Sequence, residues 1–172
     1  MSRERGCKSC DMTDPQNQPV GGAIQVGEHW LLNQYWGGEG FLGWMALGPK
    51  EHRMQLEDLS PEETSEMGTA IQKIKKALKE YWKEVWPEDR FDRLYVTYFF
   101  ESVFGNKPNE YHLHIHLIPR TKKMRALISN KGNIVCWDIY KISSMDGFPE
   151  EYLRYEERVL KLMNALRAKI SY

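Results

Sequence analysis

Residues 112–117 alternate imidazole and aliphatic side chains without a break: His112-Leu113-His114-Ile115-His116-Leu117. Successive side chains of a β-strand point to opposite faces, so the three histidines share one face and Leu113, Ile115 and Leu117 the other. The aliphatic face suits a core, and the pattern predicts a row of titratable nitrogens along an accessible surface. Upstream, Glu28 to Trp36 and Phe41 to Leu47 read as hairpin strands joined by Gly37-Gly38-Glu39-Gly40, the second ending at Gly48-Pro49. Ser60-Pro61-Glu62-Glu63 then combines a Ser N-cap, Pro at the first helical position and Glu at the capping-box position. Met67, Ala70, Ile71, Ile74, Leu78, Tyr81, Trp82 and Val85 repeat at helical spacing until Trp86-Pro87 closes the helix, and this stripe reads as core.

Leu94 to Glu101 reads as a strand, and a polar loop, 105–109, leads into the histidine strand, which ends at Pro119-Arg120. A further strand is expected from Ile134 to about Ile142. Pro149 opens a helix carrying Tyr152, Val159, Leu160, Met163, Leu166 and Ile170 on one side. Residues 1 to about 23 read as loop. Strands first, with separated helices, predict an α+β fold with a mainly antiparallel sheet, in a single domain spanning residues 1–172.

Composition narrows the function. The 172 residues are 41% hydrophobic and 28% charged, ordinary for a soluble globular protein. Lys+Arg and Asp+Glu balance at 24 each, which argues against bulk attraction to nucleic acid or an anionic membrane while leaving room for a local patch. The first residues lack an apolar signal core and no stretch approaches a membrane span, so a cytoplasmic location is expected. In that compartment Cys7, Cys10 and Cys136 read as metal ligands or buried thiols before disulfides.

Three in-line histidines can bind metal or do chemistry. The first and third lie roughly 13 Å apart along a strand at ~3.3 Å per residue, too far to meet readily at one ion with bonds near ~2 Å. A neutral imidazole is a competent nucleophile toward phosphorus near pH 7, and a neighbouring one can assist a phosphate oxygen or leaving group. Chemistry and geometry favour the second use. Cys7-Lys8-Ser9-Cys10 supplies two ligands of a tetrahedral site, which only Cys136 or a histidine could complete. The pair could instead sit solvated in a loose tail. A redox role is disfavoured because no strand precedes it and no helix obviously follows.

His112 through Ile118 resembles the alternating His-aliphatic signature of the histidine-triad nucleotide hydrolases and transferases, and Pro119-Arg120 continues it. Gly48-Pro49-Lys50-Glu51-His52, followed by Leu56, Leu59-Ser60 and the acidic helix start, is similar to the family's Pro-Lys-x-His segment. With the cysteine pair the resemblance spans roughly residues 7–120, leaving 121–172 as a C-terminal extension. It implies a five-stranded, mainly antiparallel sheet with two main helices, to which a C-terminal helix is added. It also implies a mechanism in which His114 attacks an α-phosphorus to form a nucleotidyl-histidine, while His116 contacts phosphate or leaving-group oxygens. His116, where transferases of the family carry Gln, favours water as the final acceptor.

The resemblance further implies a structural Zn2+ held by Cys7, Cys10, His52 and His112, as in a subset of the family. The substrate expected is a dinucleoside polyphosphate, as in the diadenosine-polyphosphate hydrolases, or a nucleoside phosphoramidate. Pairing of two copies through the first helix and an adjoining strand is implied as well. Asn33, with Gln34 beside it, lies near the family's ribose-holding position, and Asn109 near its phosphate contact. Glu101 stands where relatives have Asn, and Pro108 where they have Gln, both departures bearing on substrate. Phe41 and Trp44 are candidates for a base pocket or for core; Arg120 for phosphate or a loop anchor; His29 reads as surface. The alternatives are a nucleotide-binding or adaptor protein of the same fold with little turnover and, less favoured, a catalytic zinc.

Overall fold

The computed structural model describes residues 7–12, 14–37, 40–98, 112–129 and 141–170. Its five strands, β1 (Ile24–Val26), β2 (Trp30–Gln34), β3 (Met45–Pro49), β4 (Phe91–Thr97) and β5 (Ile115–Thr121), form one sheet in the order β1-β2-β3-β5-β4. Every neighbouring pair is antiparallel. β3 and β4 therefore run parallel to each other, and the long helix α2 (Pro61–Val85) makes the crossover between them. Ser60 accepts from Glu63 N while the Glu63 carboxylate accepts from Ser60 N, so the capping box forms as its sequence predicts. Ala70, Ile74, Leu78, Tyr81 and Trp82 turn inward and are buried.

The sheet register decides which side chains meet. Asn33 is opposite Ala46, and Ala46 opposite His116, which is opposite Thr97; this row shares one face. Leu32, Leu47 and Ile115 form the adjacent row on the other face, in the core that α2 closes together with α4 (Glu156–Ile170). Gly43 adopts φ +84, and a Cβ there would stand 2.5 Å from the Trp82 indole, so the turn before β3 needs glycine on both counts.

The observed elements depart from expectation in specific places. Phe41–Trp44 is a buried turn; the strand begins at Met45 and continues to Pro49. β1 falls just after the segment read as loop, and within that segment lie a one-turn helix, α1 (Lys8–Asp11), and a 3-10 turn (Pro15–Asn17). β4 starts at Phe91, and its predicted end, Glu101, lies outside the described residues. Helix α3 (Lys122–Ser129) was not anticipated. Its N-terminus is held by the buried Asp89, which accepts from Lys123 N at 2.8 Å and from the Tyr152 hydroxyl. Of the strand expected from Ile134, residues 134–140 lie outside the described residues, and Ile142 is in a 3-10 turn. Pro149 caps a separate 3-10 turn, Glu150–Tyr152, before α4 begins. On α4, Leu162 faces the core with Val159, Met163, Leu166 and Ile170, while Leu160 is 47% exposed. Among the described residues no helix is long and apolar enough to cross a membrane.

Candidate active site and metal cluster

Cys7 and Cys10 sit at one turn's spacing on and before α1, which presents both thiols to the same neighbour. That neighbour is His112. Its Nδ1 lies 3.6 Å from Cys7 Sγ and 3.4 Å from Cys10 Sγ, and Cys10 Sγ is 3.3 Å from Nδ1 of His52. One ligand atom from each of Cys7, Cys10, His52 and His112 lies within 4.8 Å of all the others. Zinc bonds of ~2.3 Å to sulfur and ~2.0–2.1 Å to nitrogen, at tetrahedral angles, place S and N about 3.6 Å apart. The three S···N distances fit that edge length, so the four residues are suited to hold a tetrahedral ion.

The surroundings of these ligands are built to aim them. Pro49 O can only accept, so Nε2–H of His112 donates to it at 2.8 Å, which puts the lone pair on Nδ1, facing the thiols. Burial pushes the His112 imidazole down to about 4, against the Pro49 hydrogen bond. His52 is carried to the cluster by its chain neighbour: Leu113 N donates to Arg53 O at 2.7 Å. The Arg53 guanidinium in turn meets the buried Glu63 carboxylate at 2.9 Å.

Residues 112–114 precede the hydrogen-bonded part of β5, yet His114 and His116 remain neighbours, with ring centroids 4.7 Å apart. Nδ1 of His114 lies 3.0 Å from the His112 carbonyl. A carbonyl accepts, so Nδ1 carries the proton and Nε2 the lone pair. His116 has the opposite tautomer. The indole of Trp44 donates to its Nδ1 at 2.9 Å, leaving the proton on Nε2. Burial, then the nearby His114, push this imidazole down to about 3. The expected row along an accessible surface is thus corrected: His112 is 4% exposed and His116 0%, and His114 is half-buried. The N-terminal turn covers the first, and Tyr35 and Trp44 pack their rings on the third.

A cavity of about 330 Å³ opens on His112 and His114. Asn33 and Ala46 line its floor, Ser9 and Met12 of the N-terminal segment one wall, and Tyr35, Trp36 and Gly37 another. Its polar groups are few and its lining mixes backbone, apolar and aromatic surface, as in small-molecule sites. Arg154, from the segment between the last 3-10 turn and α4, donates to the carbonyls of Tyr35 at 3.0 Å and Gly37 at 3.4 Å and stands 5.5 Å over the Trp36 ring. The C-terminal extension therefore braces a cavity wall.

Of the other sequence candidates, Gln34 is buried and organises the 41–44 turn, donating to Phe41 O and Trp44 O and accepting from Gly43 N. Phe41 and Trp44 are core. Arg120 donates to the Tyr95 hydroxyl at 2.6 Å, and it lines a different cleft. Glu101, Asn109, Pro108 and Cys136 lie outside the described residues. Sequence reasoning missed Met12, Tyr35 and Arg154. It also missed Trp44 as the partner of His116, although Trp44 shares the parity of Ala46, the residue directly across from His116.

No family model matches the chain, and no curated protein does. Solved structures do. One similar fold is a hypothetical histidine triad nucleotide-binding protein from Sulfolobus tokodaii strain7, at 16% identity over 96% of this chain and 92% of that one, with a TM-score of 0.59. Another is a Zn-bound histidine triad family protein from Mycobacterium smegmatis, at 19% identity over 98% and 95% of the two chains, with a TM-score of 0.56. At these identities the likeness is one of fold.

Proposed function

We propose that this chain is a histidine-triad nucleotide hydrolase that cleaves at an α-phosphate, with His114 as nucleophile and a structural zinc at Cys7, Cys10, His52 and His112. The observation that carries the reading is the hydrogen bond from Nδ1 of His114 to the His112 carbonyl. In the neutral ring this bond leaves the nucleophilic lone pair on Nε2, and the ring lines the cavity. Nε2 of His114 attacks phosphorus, the P–O or P–N bond to the leaving group breaks, and a nucleotidyl-histidine forms. Water then attacks the same phosphorus, releasing a nucleoside monophosphate and returning the lone pair to Nε2.

His116, with its proton on Nε2, is assigned as the donor to a phosphate or leaving-group oxygen. Asn33, on the cavity floor, is assigned to substrate, and Asn109 and Glu101 keep the substrate-binding roles that the family resemblance gives them. Bound zinc would staple the N-terminal turn, and with it Ser9 and Met12, against the sheet. A dinucleoside polyphosphate or a nucleoside phosphoramidate is the substrate class, and the homodimer is the proposed assembly. A second reading, a nucleotide-binding or adaptor protein with little turnover, is favoured by one feature: His116 is wholly buried behind Tyr35 and Trp44.

Phosphorus NMR of the purified chain with diadenosine tetraphosphate and with adenosine phosphoramidate separates the two. The hydrolase reading expects release of AMP, abolished in His114→Ala while nucleotide binding stays. Binding without turnover on either substrate leaves the adaptor reading standing and removes the hydrolase.

A further inference from the structure

Away from the histidines, four elements converge on a cleft of about 380 Å³. Lys79 reaches it from α2, Arg93 from β4, Arg120 from β5 and Arg125 from α3, with Arg90 at the entrance to β4 and, among the described residues, a single carboxylate, Asp92. Asp92 lies 2.7 Å from the Arg90 guanidinium and 4.0 Å from that of Arg125. Arg120 leans on an uncharged partner, the Tyr95 hydroxyl and ring. Among the described residues no carboxylate lies within ion-pair distance of Lys79 or Arg93.

Arg93 and Arg120 are direct cross-strand partners on β4 and β5. Like charges placed so weaken a sheet, and three more cations around them add to the cost. Packing does not call for the arrangement, since Arg93 and Arg125 are exposed and an uncharged residue would serve the fold as well. An unrepaid local conflict of this kind is expected where a site serves binding.

We propose that this cleft binds a small, multiply charged phosphate anion. Guanidinium forks pair bidentately with phosphate oxygens, and a cleft offering five cations suits several linked phosphates better than one. A long nucleic-acid strand fits less well. The whole chain carries 24 basic and 24 acidic residues, so the positive surplus in the cleft is balanced by a negative surplus elsewhere. Among the described residues the cleft shares no lining with the histidine cavity, and its occupancy does not depend on the nucleotide reading.

The test is calorimetric titration of the full chain with sodium tripolyphosphate, in which substitutions confined to the cleft separate binding there from any in the histidine cavity. One anion per chain is expected, with affinity falling as salt is added. Arg93→Gln with Arg125→Gln should weaken it at least tenfold, and the corresponding Lys pair should keep part of it. If the double Gln variant melts abnormally, each single Gln variant is read instead, with about threefold weakening expected. Absence of binding, or affinity unmoved by the Gln substitutions, overturns the proposal. So does a ten-nucleotide thymidine strand that binds more tightly than tripolyphosphate, which would make the cleft a nucleic-acid surface.

Discussion

The indole N–H of Trp44 donates to Nδ1 of His116 across 2.9 Å. An indole can only donate, so this contact fixes the His116 tautomer from outside the triad and seals that ring under the 41–44 turn. Trp44→Phe removes the donor while keeping an aromatic ring. The unfolding free energy should fall by about 1–3 kcal/mol, the usual cost of stripping a buried acceptor. Imidazole ¹⁵N shifts should show the Nε2–H tautomer of His116 losing its dominance. Unchanged shifts would mean the indole does not set the tautomer.

The depressed pKa of His116, about 3, gives stability a definite pH dependence. The unfolded chain takes up a proton near pH 6.5, whereas the folded chain refuses it down to about 3. Protons therefore favour the unfolded state over that window, so stability falls as pH drops from about 6.5 and is flat above it. One such group contributes a slope of up to ~1.4 kcal/mol per pH unit. Urea unfolding at pH 7.5, 6 and 5 should show a shallower decline in His116→Gln than in the wild type, both in the same metal state. Parallel declines would contradict the assignment.

Metal removal should loosen the N-terminus. With free zinc at a thousand times its dissociation constant, binding to the folded state alone adds about 4 kcal/mol. Chelation should lower the melting temperature accordingly and expose Cys7 and Cys10 to thiol reagents, since both are buried in the folded chain. His52→Ala should reproduce much of this. Metal content near one zinc per wild-type chain, lost in the variant, is the direct check.

Arg154→Ala should act on binding more than on chemistry. Its guanidinium holds the Tyr35 and Gly37 carbonyls and the Trp36 ring that wall the cavity, while Arg154 itself does not line it. KM for a nucleotide substrate should rise about tenfold, roughly 1.4 kcal/mol, with kcat within about twofold. Arg154→Lys should recover only part, because an ammonium lacks the planar fork. An equal loss in kcat and kcat/KM would place Arg154 in the transition state instead.

What could be read from the chain was what depends on local period and spacing. Alternation predicted His114 and His116 as neighbours, and their ring centroids lie 4.7 Å apart, while Ser60-Pro61 with Glu63 fixed the start of α2 to the residue. β1 escaped because three residues are too few for a period, and α3 because the anchoring of its start on Asp89 is a contact between residues 34 apart. The meeting of Cys10 with His112, 102 residues away, came from resemblance; spacing alone left Cys136 open. Burial of the histidine row was unreadable for a related reason. Polar faces are taken as solvent-facing unless a distant segment covers them, and here Tyr35, Trp44 and the cysteine turn do so. Leu160 was placed inward and Leu162 left out because the two flank the Val159, Met163, Leu166 and Ile170 stripe on opposite sides at similar angles, so period alone does not choose between them.

The most direct measurement is intact-mass analysis of the chain quenched during turnover of diadenosine tetraphosphate, followed by peptide mapping. An adenylyl group on His114, removed by acid and absent in His114→Ala, is the predicted result. Turnover with no adduct, an adduct on another residue, or turnover that survives His114→Ala would contradict the nucleophile assigned here.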